Sequence, residues 1–134
     1  MYTEEYLEAA RRYHRERDQK LKAEREAERQ KWLEKTRSAI QQIAPHHPFI
    51  QTVYLYGSLM QPGRFGTHSD LDLAVECDAI EAETPFWQDL EQALRRDVDL
   101  RPLVHPITFA VEFYGELAYE RQENLSHQRA PERY

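Results

Sequence analysis

Two aspartates, Asp70 and Asp72, flank a single leucine in Ser69-Asp70-Leu71-Asp72-Leu73, and a third, Asp99, stands between Val98 and Leu100. Side chains alternate across an extended strand, so Asp70 and Asp72 share one face while Leu71 and Leu73 take the other. Asp99 alternates in the same way with its apolar neighbours, and Asp97 shares its face as a solvent-facing neighbour. Carboxylates gathered on one face repel unless a cation lies between them, and Mg²⁺ favours carboxylates completed by phosphate oxygens. Upstream, Gly57 and Ser58 directly follow the β-branched and aromatic run Val53 to Tyr56. A residue without a side chain lets the backbone approach a phosphate, and a hydroxyl with its neighbouring amides can bind phosphate oxygens. These residues imply a metal site completed by a nucleotide, and with it phosphoryl or nucleotidyl transfer.

Such groups need strands to aim them. The chain predicts strands at Val53 to Tyr56, Asp70 to Cys77 and Asp97 to Leu103, from β-branched content and alternation. A helix is expected from Pro85 to about Arg95, capped by Thr84, with Phe86, Leu90, Ala93 and Leu94 on its buried side. Another runs from Ile107 to Tyr114 and stops at Gly115, after which Leu117 to Tyr119 forms a short strand or extends the turn. Before this body lies a segment without Pro or Gly from Thr3 to Ala44, dominated by Glu, Arg, Lys, Gln and Ala. It predicts one long helix, ended by Pro45-His46-His47-Pro48. At about 1.5 Å per residue, some 40 residues would reach about 60 Å. Between Arg15 and Lys31 its only apolar residues are Leu21, Ala23 and Ala27, so this middle buries little. Trp32, Leu33, Ile40 and Ile43 form a patch that packs on the body. Tyr2, Tyr6, Leu7, Ala10 and Tyr13 form a second patch, free for a partner, so a docking arm is expected, with a solvated charged helix as the alternative. The expected division is residues 1–44 as arm, 45–121 as a single catalytic body and 122–134 as a loose tail.

Composition narrows the classes. A chain of 134 residues suits one such domain. Residues 1–44 hold 11 Lys and Arg against 9 Asp and Glu, and residues 45–134 hold 7 against 15, so the halves carry +2 and −8. An acidic body argues against binding long nucleic acid. No run approaches a membrane span and the amino terminus does not read as a secretory signal, so a cytoplasmic protein with no membrane partner is expected. The single cysteine, Cys77, excludes an internal disulfide and a Cys-based zinc site.

In order and type, Gly57-Ser58, Asp70-Leu71-Asp72 and Val98-Asp99-Leu100 resemble the signature of the minimal nucleotidyltransferases of the DNA polymerase β superfamily. The resemblance covers about Thr52 to Tyr119 and includes the ending Glu112-Phe113-Tyr114-Gly115-Glu116-Leu117-Ala118-Tyr119. One departure is visible: Leu59 to Ser69 makes eleven residues between Gly-Ser and Asp-x-Asp, one more than is common, with Pro62 and Gly63 inside. The helix that follows Ser58 is therefore expected to be short or kinked.

The resemblance implies an α+β fold, a mixed sheet flanked by helices, with the long first helix as an addition. It implies that Asp70 and Asp72 hold two Mg²⁺ ions and that Asp99 holds the ion activating the attacking hydroxyl and is the candidate general base. Gly57 and Ser58 would grip the β- and γ-phosphates of ATP, and Arg64 is a candidate contact for the triphosphate. Members of this kind act as antitoxins, adding AMP to a tyrosine of a partner HEPN ribonuclease toxin, and that is the function expected here. Two alternatives stay open: a binding partner that neutralises by docking without catalysis, and a subunit that modifies a small molecule such as an antibiotic.

Overall fold

The first helix, α1 (Glu4–Ile43), opens on Thr3, whose hydroxyl accepts the Tyr6 amide at 3.1 Å and satisfies one of the free donors of the first turn. It ends where Pro45 enters a 3-10 turn, Ala44–His46. The computed structural model describes residues 1–122. No residue of α1 before Arg29 is buried, and from there Arg29, Leu33, Thr36 and Ile40 line up three and four apart on the side that meets the body. Trp32 and Ile43 pack half-buried beside them, as the apolar pattern predicts. Arg29 corrects the expectation that the charged middle stays in solvent. Tyr2, Tyr6 and Tyr13 are exposed at the far end, with the Tyr2 and Tyr6 rings stacked 4.7 Å apart.

Four strands make one mixed sheet: β1 (Ile50–Tyr56), β2 (Leu71–Cys77), β3 (Val98–Pro102) and β4 (Glu116–Glu120), in the order β3-β2-β1-β4. β1 runs antiparallel to β2 and β4, while β2 and β3 are parallel. Parallel neighbours need a crossover, which α2 (Glu83–Leu94) supplies. Val53, Leu55, Leu71, Leu73, Val75, Val98 and Leu100 face a core shared with Leu33 and Ile40 of α1 and with Phe86, Leu90 and Leu94 of α2. α3 (Ile107–Tyr114) lies against β1 and the turn that follows it.

Several predicted bounds shift. β1 starts at Ile50, and β2 starts at Leu71, so Asp70 sits one residue before the strand. β3 is shorter than expected at both ends. α2 begins at Glu83 behind a 3-10 turn, Ile80–Ala82, so Thr84 lies inside the helix and does not cap it, and Ala93 is exposed rather than buried. After Ser58 there is only a single 3-10 turn, Gly57–Met60, in keeping with Pro62 and Gly63. The stretch after Gly115 resolves into the strand β4. Gly115 is needed for closeness: its amide donates to the Val111 carbonyl at 2.7 Å, and a Cβ there would lie 2.4 Å from that oxygen. The predicted tail lies outside the described residues except for Gln122. Among the described residues, no helix is long and apolar enough to cross a membrane.

Candidate active site

Strand register places Tyr56 opposite Asp72 and Asp72 opposite Asp99. Residues paired across a sheet share a face, so these three form a row on the side away from the core. Tyr56 is buried, and Asp72 and Asp99 are half-buried. Burial, reinforced by the charges of Asp99 and Asp70, pushes the Asp72 carboxyl up to about 6, against the opposing pull of Arg101 and of a backbone hydrogen bond from Ser58. Burial and the fields of Asp72 and Asp99 push the Tyr56 phenol up to about 12. In both, burial is the larger cause and the neighbouring carboxylates add to it.

Gly57 closes over that row. Its φ of +74° lies in the left-handed region, and a Cβ at this position would stand 2.1 Å from Asp72 Oδ2. The turn and the carboxylate are thus packed backbone to side chain, and Ser58 follows at once with its amide on Asp72. Glycine is required here both for its backbone angle and for its missing side chain.

Of the other predicted residues, Asp70 is exposed at the entrance to β2, where its charge still reaches Asp72. Asp97 is exposed as expected, and its carbonyl accepts the Leu71 amide at 3.0 Å. Arg64 lies exposed in the loop between the Gly57–Met60 turn and β2. Among the described residues no contact ties its side chain to the carboxylates, so the structure does not bring it into the row. Sequence reasoning missed Arg101, whose Nε donates to both oxygens of Asp99 at 3.2 Å. The signal was present, since residues two apart on a strand share a face.

Among the described residues, no three His, Cys, Asp or Glu side chains converge into a metal cluster. The donor chemistry nevertheless fits a hard divalent cation: Asp70, Asp72 and Asp99 all offer carboxylate oxygens, and Asp72 and Asp99 are register partners on adjacent strands. Paired carboxylates beside a glycine turn are groups that can bind a metal-bound polyphosphate and accept a proton from an incoming hydroxyl.

Comparison with known proteins agrees with this geometry. No curated protein matches the chain. Among solved structures, it is similar to a variant of the toxin-antitoxin complex MntA-HpeT carrying two aspartate-to-glutamate replacements, at 27% identity over 66% of this chain and 76% of that one, with a TM-score of 0.52. A toxin-antitoxin structure with AMP-PNP gives 29% identity over the same shares, also at 0.52. The MNT antitoxin complex with the tri-AMPylated Shewanella oneidensis HEPN toxin gives 26% identity over 68% of this chain and 75% of that one, with a TM-score of 0.45. Residues 38–124 match the family "Polymerase beta, Nucleotidyltransferase", a span that takes in the whole sheet, the Gly57 turn and all three aspartates. The chain belongs to the polymerase β nucleotidyltransferase family.

Proposed function

We propose that the chain is a Mg²⁺-dependent nucleotidyltransferase of the cytoplasm that moves AMP from ATP to a hydroxyl, a tyrosine in our reading, of a partner HEPN toxin, and so acts as the antitoxin of a pair. The observation that carries this is the Asp72 and Asp99 pair, held side by side across β2 and β3 beneath the Gly57-Ser58 turn. Family membership supports nucleotidyl transfer, and the likeness to the toxin-antitoxin complexes, one of them with AMP-PNP, supports the partner and the nucleotide.

Asp70, Asp72 and Asp99 would hold the metal. When bound, Mg²⁺ would lower the pKa of the attacking hydroxyl and offset charge on the leaving pyrophosphate. The chain's own groups do the rest. The Gly57 backbone and the Ser58 amide and hydroxyl take the β- and γ-phosphates, and Asp99 accepts the proton of the acceptor hydroxyl. The acceptor oxygen then bonds to the α-phosphorus as the bond to pyrophosphate breaks. Arg101, already bonded to Asp99 on this face, is a cation that could meet the triphosphate, and Arg64 stays a candidate contact from its exposed loop.

The test is incubation with Mg²⁺, α-labelled ATP and the partner toxin. Label on the toxin that is lost in the Asp70→Asn, Asp72→Asn protein, with the complex still formed, is the expected result. Label that persists in that variant contradicts the reading. One observation favours a second reading, neutralisation by docking alone: Arg101 already covers Asp99. In that case the double variant would still silence the toxin and no label would appear with either protein.

A further inference from the structure

The two loops of the site are each fastened from behind by a single arginine outside the row of carboxylates. Arg29 of α1 is 6% exposed. Its Nε and Nη2 donate to the two oxygens of Glu26 at 2.8 and 2.7 Å, which holds the Glu26 carboxyl down to about 2, and its Nη1 donates to the Leu59 carbonyl at 2.8 Å. Leu59 is the residue after Ser58. At the end of the turn the Gln61 amide donates to the Ser58 carbonyl at 3.0 Å and the Gln61 side chain to the Gly57 carbonyl at 3.2 Å.

Arg96 does the corresponding work before Asp70. Its Nε and Nη2 donate to the Ser69 carbonyl at 3.0 and 2.8 Å, and Nη2 reaches the Gly66 and Thr67 carbonyls at 2.7 and 3.2 Å. The guanidinium lies 4.7 Å from the Trp32 ring and 4.5 Å from the Phe65 ring. Only a planar, forked cation can stack in this way and serve several carbonyls at once. The loop it gathers contains the extra residue noted in the sequence.

We infer that Arg29 and Arg96 are positioning residues for nucleotide binding, Arg29 setting the Gly57–Met60 phosphate turn and Arg96 setting the loop that delivers Asp70, so that α1 is part of the active-site scaffold. Arg29 lies outside the span that matches the family, which makes this half of the clamp an addition of this chain's long helix. The inference rests on the proposed nucleotidyl transfer for its ligand but not for its geometry.

Titration of the full chain with AMP-PNP and Mg²⁺ tests it, together with amide hydrogen exchange and melting. Arg29→Gln weakens AMP-PNP binding by about tenfold, the scale of one hydrogen bond from a charged donor. It also speeds exchange at Ser58 to Gln61, and in the transfer assay it raises KM more than it lowers kcat. Arg29→Lys, which keeps a donor for the Leu59 carbonyl, restores part of the affinity, whereas Arg96→Lys, without the fork or the stacking plane, behaves like Arg96→Gln. Leu33→Ala, which removes core packing from α1 but leaves both guanidinium groups in place, lowers Tm and costs the folded protein less affinity than Arg29→Gln does. A folded Arg29→Gln protein with wild-type affinity and wild-type exchange overturns the inference, and so does a Leu33→Ala protein that loses as much affinity. Failure of the wild-type chain to bind AMP-PNP sinks the functional reading instead, while exchange at Ser58 to Gln61 still decides whether Arg29 holds the turn.

Discussion

At Gly57 two demands meet, a left-handed backbone and a carboxylate oxygen where a Cβ would be. Gly57→Ala must therefore push the Asp72 side chain aside and strain the turn, at a cost of about 1–3 kcal/mol for the backbone alone. We expect a lowered Tm and loss of nucleotide binding together, measured by melting and AMP-PNP titration. Asp72 makes a second prediction. Its carboxyl is raised to about 6 in the fold, chiefly by burial, so the folded state binds the proton more tightly than the unfolded chain does. Ionised Asp72 thus destabilises the fold above about pH 6, and this effect fades as pH falls through 6 and vanishes below the ordinary carboxylate range. Without divalent cation, Asp72→Asn should melt higher than wild type at pH 7.5 and at the same temperature near pH 3.5, the flanks of that window. Mg²⁺ should raise the Tm of wild type at neutral pH but not of the variant, and its apparent affinity should fall as pH drops below about 6. The aspartates and Gly-Ser were legible because strand alternation and residue order place them. The Asp99 partner Arg101 lies two residues on along the same strand and so falls under the same rule, but alternation gives only the shared face and not the ion pair.

Among the elements, α1 divides into two unlike parts. Its first half buries nothing, whereas Leu33 and Ile40 are 4% and 0% exposed against the sheet. Deleting residues 1–24 should leave Tm and AMP-PNP affinity unchanged and remove Tyr2, Tyr6 and Tyr13, so that only partner binding weakens, as read by complex formation with the proposed toxin partner. Ile40→Ala, by contrast, should destabilise by about 2–5 kcal/mol in denaturant unfolding, the range for truncating a fully buried aliphatic side chain. The helix and its apolar end were readable from helix formers and spacing. The role of Arg29 was not, because a lone arginine in a charged run reads as solvated until a carbonyl 30 residues away is seen beside it. The missing Thr84 cap has a local reason: the 3-10 turn at Ile80–Ala82 leads the chain into the helix one residue before Thr84.

For the molecule as a whole, charge is segregated along the chain, with −8 on residues 45–134 and a mixed-sign helix before them. Phosphate backbones bind basic faces through released counterions, and this body offers the opposite sign. Long single-stranded RNA should therefore give no mobility shift with the full chain at about 0.15 M salt, where the screening length is about 8 Å. A shift that survives that salt would contradict this expectation and point to the basic residues of α1. One turn of the helix is joined to the edge strand of the sheet: Arg37 grips Glu116 of β4 at 2.5 and 2.6 Å, and the Gln41 side chain donates to the Ala118 carbonyl.

From residues alone came the strands, the long helix, the order of Gly-Ser and the three aspartates, and the chemistry they imply. Each depends on local periodicity or on residue type, and both are written along the chain. Tertiary structure alone decided that Tyr56, Asp72 and Asp99 form one row, that Gly57 sits on the Asp72 carboxylate, and that Arg29 and Arg96 hold the two loops. Those facts depend on strand order, register and the parallel crossover through α2, which bring together groups distant in sequence, and no local pattern records which distant carbonyl or carboxylate a side chain will meet.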